Sequence, residues 1–326
     1  MDKISIIVPV YNCAGELGRT LDSLLAQSYE YIQIVAVDDG STDGGWEILT
    51  RYAGNHPRIL PIRQKNSGVT VARLAGVRAA SGDWIGFVDG DDVVDEDMFR
   101  RLLENAQKAH ADISHCGHAI HFPDGRIEYR HNSGKCYTQD HLRGLRELLD
   151  GGQIDSSLCT KLFQKRLFDG IEQWMNPALR NGEDMLMNYY LFAGSGQAVY
   201  EDFCPYHYLL RAGSASRGGR IRNKVFDPIQ ARQQILEQCE DEMKADARIA
   251  LMRNLLFACA VLSRLPRKET AGLRAEARGL LRQQSRYFPM LSLRNRVLAR
   301  MICTAPWSFN IAYGCYVSLF QRQEQH

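Results

Sequence analysis

Two carboxylates that bracket a glycine are the first residues whose type and spacing suit metal chemistry. Asp89, Gly90 and Asp91 come at the end of an apolar run, 84–88. A hard divalent cation prefers carboxylate oxygens, and it is typically held by one or two of them plus the phosphates of a substrate. A D-x-D triplet alone is common in solvated loops, so its position at the end of a strand is what favours a metal site.

A second acidic stretch, DDGSTD at residues 38–43, follows another apolar run, 32–37. One interpretation is a turn in which Asp-Gly forms the bend and Ser41, Thr42 or Asp43 caps the next helix. That interpretation leaves Asp38 and Asp39 unexplained. Because like charges at one edge repel each other, we expect a compensating ligand beside them.

These acidic residues must be positioned by the strands that precede them. The run 4–10 is apolar and β-branched, as expected of a parallel strand buried on both faces. Further strands are predicted at 32–37, 58–62, 84–88 and 112–116, with a helical apolar pattern between each pair. This alternation predicts an α/β fold, an open and mostly parallel sheet with helices on both faces. Ligands of such sheets bind at the carboxyl ends of the strands, where the acidic residues lie.

The pattern is weaker between residues 117 and 182, and it is helical after Asp227. A hairpin is predicted at Asp124-Gly125, helices at 141–150 and 183–192, and a last strand at 198–200. The composition is that of an ordinary globular chain, with 326 residues, 24% of them charged and 45% hydrophobic. It excludes wholesale disorder and low-complexity character.

Charge and cysteine content bear on partners and compartment. From residue 248 onward there are 13 basic and 3 acidic residues, so the tail carries +10 and the remainder −8 of the net +2. This asymmetry suggests two different partners. The nine cysteines form no C-x-x-C pair, which argues against a zinc ribbon or a disulfide scaffold. We expect a reducing, cytoplasmic location, and the short apolar run at the N-terminus is predicted to be a strand rather than a signal peptide.

Four motifs together carry a resemblance to a known family. They are SIIVPVYN at 5–12, VDDGSTD at 37–43, NSG at 66–68 with AR at 72–73, and FVDGDD at 87–92. In their order and spacing the chain resembles the family 2 glycosyltransferases, and GED at 182–184 extends the resemblance more loosely. The resemblance implies a GT-A fold, a nucleotide-diphosphate-sugar donor and inversion at the anomeric carbon. It also implies a catalytic domain over 1–215, which leaves a basic helical region over 216–326.

The same resemblance implies donor-binding roles for five residues. Pro9 and Tyr11 would bind the donor, with Tyr11 against the nucleobase. Asp39 would hydrogen-bond the uracil or the ribose. Gly68 and Arg73 would form the wall of the donor pocket near the ribose and the diphosphate.

The reacting groups are implied in the same way. Asp89 and Asp91 match the D-x-D of the family and would hold Mn²⁺ or Mg²⁺ against the two phosphates, neutralising the leaving group. Asp184 matches the catalytic base that deprotonates the acceptor hydroxyl. Glu183 is a second candidate base, and both acids would also suit a helix N-terminus for electrostatic reasons alone. The family often has Asn where this chain has Leu74, so no role is predicted for position 74.

Four histidines could suggest a further metal site. His115, His118 and His121 lie on one predicted strand, which points His118 away from the other two, so a partly exposed strand is the favoured interpretation. His207 could supply a third metal ligand, as in some related enzymes, but an aromatic-rich strand is favoured there. Two cations, Lys161 and Arg211, could contact phosphate or acceptor, or could be ordinary surface residues.

The basic tail has two interpretations. Residues 301–321 carry no formal charge and have the length of a membrane span, but Asn310 and Pro306 make them a poor one. The arginines ahead of them alternate with aromatic and aliphatic residues, which favours a helix at an anionic membrane surface. The alternative is a helical cap that packs on the catalytic domain or on a second copy. No nucleic-acid recognition motif is present.

The sequence therefore predicts a metal-dependent, inverting glycosyltransferase. Its donor would be a UDP-sugar and its acceptor a glycan or lipid-linked glycan, reached from the inner face of a bacterial membrane. One alternative is a non-catalytic nucleotide-sugar binding protein, which would require loss of the D-x-D or of Asp184. Another is a nucleotidyltransferase, which would favour a glycine-rich basic loop after the first strand, where the chain instead has YNCAG.

Overall fold

The computed structural model describes residues 1–130, 132–152, 154–210, 220–306 and 309. It divides the chain into two compact units, Met1–Gly219 and Arg220–His326. The domain boundary predicted after residue 215 lies outside the described residues.

The first unit is built on one sheet. Its strands are β1 (Ile4–Val10), β2 (Ile32–Asp38), β3 (Ile59–Arg63), β4 (Trp84–Phe87), β5 (Val93–Val94), β6 (Ile113–His121), β7 (Ile127–Tyr129), β8 (Cys136–Asp140), β9 (Lys161–Gln164) and β10 (Gln197–Leu209). Along the sheet the order is β3-β2-β1-β4-β9-β6-β10-β5, with β7 beside β6 and β8 beside β10. Strands β3, β2, β1, β4, β6 and β10 run in one direction. The predicted α/β fold with a mostly parallel sheet is therefore confirmed.

The helices of this unit alternate with the strands. They are α1 (Ala14–Leu25), α2 (Gly45–Asn55), α3 (Val69–Ala79), α4 (Met98–Ala109), α5 (His141–Asp150) and α6 (Glu183–Ala193). The strands β1 and β2 are buried at nearly every position, so both faces of the sheet are covered. This is why their apolar runs identified them correctly from the sequence.

Short polar segments join these elements at the carboxyl edge of the sheet. Gly44 occupies the N-cap position of α2, and of the three predicted caps Asp43 reaches the helix start. Its Oδ1 accepts from the amide of Gly45 at the start of α2 (3.1 Å), and its Oδ2 accepts from Ala14 at the start of α1 (2.8 Å). The carboxylate thus satisfies amide groups at two helix N-termini that have no partner within their helix. It fixes how both helices leave the sheet.

Strands β5, β8 and β9 were not predicted, and β6 and β10 are longer than predicted. The last strand, β10, has 13 residues rather than three, and β6 continues to His121. The hairpin predicted at Asp124-Gly125 is confirmed by the antiparallel pairing of β6 with β7. Strand β9 was not predicted, because its sequence KLFQ has only two apolar residues.

The second unit is helical and has its own core. Its helices are α7 (Ile221–Gln238), α8 (Lys244–Ser263), α9 (Arg267–Gln283) and α10 (Leu293–Thr304). Buried aliphatic and aromatic side chains from all four helices form one apolar cluster, which includes Phe226, Leu255, Leu281 and Ile302. The predicted helical C-terminal region is thereby confirmed.

The arginine-rich segment 282–300 is not one continuous helix of the kind predicted for a membrane surface, because α9 ends at Gln283 and α10 begins at Leu293. Phe288 is buried in the apolar cluster, and Arg282 donates to the carbonyl of Cys303 at 3.2 Å. Part of the aromatic and basic pattern in 282–300 therefore serves internal packing. None of the helices within the described ranges is long and apolar enough to cross a membrane. Most of the uncharged stretch 301–321 lies outside the described residues.

Candidate active site

A cavity of about 780 Å³ lies in the first unit and is lined by segments that are distant in sequence. They are the ends of β1 and β2, the segment before α3, the turn after β4, and the loop that leads into α6. All eight residues predicted for the site line this cavity: Pro9, Tyr11, Asp39, Gly68, Arg73, Asp89, Asp91 and Asp184. The sheet topology explains this, because β2, β1 and β4 are parallel neighbours whose carboxyl ends meet at one edge.

The two acidic residues at the carboxyl end of β2 have partners within the protein. Asp38 is fully buried and forms an ion pair with Arg63 at 3.1 Å. Asp39 accepts from the side chain of Gln64 (2.7 Å) and from the amides of Ser67 and Gly68 (both 2.8 Å). The protein itself therefore supplies the cation that balances Asp38, and the expected ligand beside Asp39 stays a prediction. Asp39 ties the segment before α3 to the end of β2 and remains on the cavity wall.

The segment before α3 has a geometry that only glycine tolerates. Gly68 has φ of +95°, and a methyl group added there would meet the guanidinium of Arg180 at 2.4 Å. Arg180 comes from the loop before α6 and also lines the cavity. The absence of a side chain at Gly68 thus lets the guanidinium of Arg180 lie against the segment before α3. No pattern in the sequence pointed to Arg180.

Arg73 lies at the centre of a cluster of charged side chains in the cavity. It is buried on α3 and contacts three carboxylates: Asp89 at 3.1 Å, Glu183 at 3.7 Å, and Asp184 by a short hydrogen bond. Burial lowers the pKa of Arg73, but Asp184 and Asp89 outweigh that effect and raise it well above its usual value. The guanidinium therefore stays charged. From α3 it holds the turn after β4 and the start of α6 at fixed positions in the site.

Two of these carboxyl groups bind protons more tightly than usual. Burial raises the pKa of Asp184, and Arg73 opposes that rise while Asp89 adds to it. Burial and the charge of Asp184 raise the pKa of Glu183 to about 7. A quarter of the Asp184 side chain is still exposed, against 14% for Glu183. Asp184 thus combines access to the cavity with the raised basicity that suits a general base.

The turn after β4 carries the D-x-D. Asp89 and Asp91 line the cavity, whereas the next residue, Asp92, is 1% exposed and points away from solvent. Burial and the charge of Asp89 raise the pKa of Asp92 to about 8, although hydrogen bonds from Tyr206 and Leu209 oppose this. Only the first two carboxylates of the DGDD sequence are therefore available to a ligand in the cavity.

These two carboxylates fit a hard divalent cation. Asp89, Asp91, Glu183 and Asp184 all line the cavity, together with the guanidinium groups of Arg73 and Arg180. A diphosphate entering this space would meet an excess of negative charge, which a divalent cation on Asp89 and Asp91 would offset. Within the described residues, no group of three or more His, Cys, Asp or Glu side chains forms a complete metal site.

The histidines have separate partners. His115 is buried and pairs with Gln139 at 2.8 Å, and His118 pairs with Asp155 at 2.9 Å. The prediction that the three histidines of β6 do not converge is confirmed, but His115 is not on an exposed part of the strand. His207 lies on β10, and its two ring nitrogens contact His121 and Asp95, each at 2.8 Å. It is therefore a strand residue with both nitrogens engaged, as the favoured interpretation had it.

Lys161 is neither a ligand contact nor a surface cation. It is fully buried in β9, and its Nζ donates to the carbonyls of Asp155 (2.7 Å) and Ser157 (2.5 Å). Both interpretations of this residue were wrong, because the buried ammonium instead holds the loop before β9. Arg211 lies outside the described residues. Leu74 is buried on α3 and does not line the cavity.

Comparison with known proteins identifies the family of this chain. The family model for glycosyl transferase family 2 matches residues 5–168. A glycosyltransferase of Streptococcus pneumoniae, GlyA, is 35% identical over 224 residues, which are 66% of this chain and 32% of GlyA. The succinoglycan biosynthesis protein ExoO of Rhizobium meliloti is 30% identical, covering 67% of this chain and 64% of ExoO. The matched region thus spans about a third of the length of GlyA.

The fold also has solved neighbours. The crystal structure of Staphylococcus aureus TarS 1–349 in complex with UDP-GlcNAc has a TM-score of 0.68 and 18% identity, covering 99% of this chain and 92% of that one. The complex of the same protein with UDP has a TM-score of 0.65. The predicted GT-A fold is thereby confirmed. On the family match and the identity to its relatives, the chain belongs to glycosyl transferase family 2.

Proposed function

We propose that this protein transfers a sugar from a nucleotide-diphosphate sugar to a hydroxyl group of a glycan or lipid-linked glycan. The observation that carries the proposal is the meeting of eight residues from separate segments in one cavity of about 780 Å³. Membership of the family supports the reaction class, and the UDP-GlcNAc complex of TarS supports a UDP-sugar as donor. The relative involved in succinoglycan biosynthesis supports a role in polysaccharide assembly.

The donor would lie along the edge of the sheet. Pro9 and Tyr11 would receive the nucleobase, and the half-exposed ring of Tyr11 is available for stacking. Asp39 and Gly68 would form the wall beside the uracil and ribose. Arg180, whose guanidinium lies against Gly68, would face the diphosphate.

Asp89 and Asp91 would hold Mn²⁺ or Mg²⁺ against the diphosphate. When bound, this ion neutralises the negative charge that develops on the leaving nucleotide. The chain's own contribution is geometric, since Arg73 contacts Asp89 and Asp184 together. It therefore fixes the distance between the metal-binding turn and the base.

Asp184 would take the proton from the acceptor hydroxyl. It lies at the start of α6, and Arg73 separates it from the D-x-D turn. The base and the residues that would bind the leaving nucleotide therefore come from different elements. A single displacement with the base opposite the leaving group inverts the anomeric carbon. Inversion is thus the stereochemical outcome that we expect.

The second part of the proposal is that the acceptor is presented at a membrane surface, and α10 supplies the observation for it. Leu293 is 74% and Val297 48% exposed, and the exposed side chains of Arg294 and Arg300 lie on the same helix. Apolar side chains beside arginines suit the surface of an anionic bilayer. We propose peripheral association with the cytoplasmic face of the membrane.

The first experiment measures UDP release from a panel of UDP-sugars with Mn²⁺ and candidate glycan acceptors, and the anomeric configuration of the product by NMR. Release that depends on the acceptor, with an inverted product, supports the proposal. Absence of release with every nucleotide sugar that binds would contradict it.

The membrane part has its own test, sedimentation with vesicles that contain anionic lipid. The double variant Leu293→Ser with Val297→Ser should lose binding. Phe257→Ser is the matched control, because Phe257 is 66% exposed on α8, outside the α10 face. Equal binding by both variants and the wild type would contradict this assignment.

A further inference from the structure

The turn that carries Asp89 and Asp91 is held on one side by a buried hydroxyl group of α1. Thr20 is fully buried, and its Oγ1 lies 3.1 Å from the carbonyl oxygen of Gly90 and 2.7 Å from that of Asp92. The hydroxyl donates to this pair of carbonyls, which flank Asp91 in the chain. The backbone on both sides of Asp91 is thus tied to a helix.

A second buried hydroxyl holds the turn from β10. The phenol oxygen of Tyr206 accepts from the amide of Asp89 at 3.3 Å and donates to Oδ2 of Asp92 at 2.6 Å. The other oxygen of Asp92 accepts from the amide of Leu209 at 2.9 Å. Tyr206 and Asp92 are 3% and 1% exposed, so this chain of hydrogen bonds is shielded from water.

These contacts do not engage the two carboxylates that would bind the cation. They involve the backbone of Asp89, Gly90 and Asp92 and the side chain of Asp92, but not the carboxylates of Asp89 and Asp91. A metal site needs its ligands held within a fraction of an ångström, and neighbouring groups that orient the ligands supply this precision. The third acid of the DGDD sequence faces away from the cavity and accepts from Tyr206, so it is placed to orient the turn.

We propose that Tyr206 is a positioning residue for the site of the divalent cation and the diphosphate. Through Asp92 and the amide of Asp89, and with Thr20 on the opposite side, it sets the direction in which the carboxylates of Asp89 and Asp91 enter the cavity. The inference rests on the proposed function, in which those two carboxylates bind the cation.

The test compares Tyr206→Phe with a matched control on the same strand. Tyr200 is fully buried, and its hydroxyl donates to Asp202 at 2.9 Å. Tyr200→Phe therefore removes the same kind of hydrogen bond without touching the turn. Both variants keep the aromatic ring, so a general loss of packing is matched between them.

Two quantities are measured in both variants. The first is the affinity for Mn²⁺ in the presence of UDP, by calorimetry. Tyr206→Phe should weaken it by roughly 10-fold to 100-fold, and Tyr200→Phe should leave it within about 3-fold of the wild type. The second is amide hydrogen exchange of the segment 88–93 without any ligand, which should be faster in Tyr206→Phe alone.

The outcomes separate this inference from the proposed function. If the wild type binds Mn²⁺ with UDP and Tyr206→Phe binds it equally well, the positioning role is wrong. If the wild type binds no Mn²⁺ with UDP, the proposed metal site fails, and with it the role of Tyr206 at that site. In that case, faster amide exchange of residues 88–93 in Tyr206→Phe would still establish that the hydroxyl holds the turn. Unchanged exchange would contradict that structural role too.

Discussion

The replacement Asp184→Asn is the sharpest perturbation of the proposed chemistry. The amide keeps the shape of the side chain but cannot accept the proton of the acceptor hydroxyl. A positioned general base contributes about 10²-fold to 10⁴-fold to a rate, so kcat should fall by that factor. The corresponding increase in the activation barrier is about 3–5 kcal/mol.

The surroundings of Asp184 indicate that this loss will not come from unfolding. Arg73 keeps its contacts with Asp89 and Glu183 in the variant. Burial raises the pKa of Asp184 in the folded protein, so its ionised form costs stability above that pKa. Removing the charge should therefore leave the free energy of unfolding at pH 8 equal to or above that of the wild type. The affinity for UDP with Mn²⁺ should change by less than about 3-fold, because Asp89 and Asp91 are untouched.

The assay is the steady-state rate of UDP release with an acceptor, and the matched control is Glu183→Gln. Glu183 precedes Asp184 on α6 and also contacts Arg73, so the control removes a neighbouring charge from the same cluster. It should keep kcat within about 10-fold of the wild type. A variant Asp184→Asn that turns over within 10-fold of the wild type would refute the reasoning. A large loss in Glu183→Gln alone would move the base to Glu183.

Three further outcomes are expected. Gly68→Ala should lower the free energy of unfolding by about 1–3 kcal/mol and weaken UDP binding, because φ there is +95°. Gly15→Ala, in open space, should be neutral or stabilising in the same urea titration. Lys161→Ala should cost at least about 3 kcal/mol in that titration, since two carbonyls lose a charged donor, whereas exposed Lys108→Ala should stay within about 0.5 kcal/mol. The melting temperature of Glu183→Gln should fall less between pH 4.5 and 8 than that of the wild type, because the raised pKa of Glu183 makes the native state lose stability as pH rises through about 7.

The sequence was sufficient where a residue's neighbours are close in the chain or follow from strand order. The apolar run of β1 identified a buried parallel strand, and the polar residues after β1, β2 and β4 gather because those strands are adjacent. The D-x-D turn and the Glu-Asp pair of α6 line one cavity, as the family resemblance implied. The strand predictions needed only periodicity and strand direction, whereas the roles of the site residues needed the family resemblance that the short motifs carry.

The remaining parts depend on contacts that no local pattern encodes. Lys161 lies in a short strand whose pattern is that of a surface segment, and its burial follows from carbonyls that the preceding loop directs inward. Arg180 reaches a glycine 112 positions away in the sequence. Tyr206 meets the D-x-D turn across the sheet, which only the pairing of β10 with β5 and β6 brings about. Such partners are fixed by tertiary structure.

The most direct test of the central claim is calorimetry of UDP binding with Mn²⁺ and with EDTA. The wild type should bind UDP in Mn²⁺ and lose most of that affinity in EDTA. Asp91→Ala should bind at least about 10-fold more weakly in Mn²⁺, while Asp124→Ala, on the exposed hairpin turn, should match the wild type. Equal affinity of Asp91→Ala and the wild type in Mn²⁺, or wild-type binding that is indifferent to EDTA, would contradict a donor site built on the D-x-D turn.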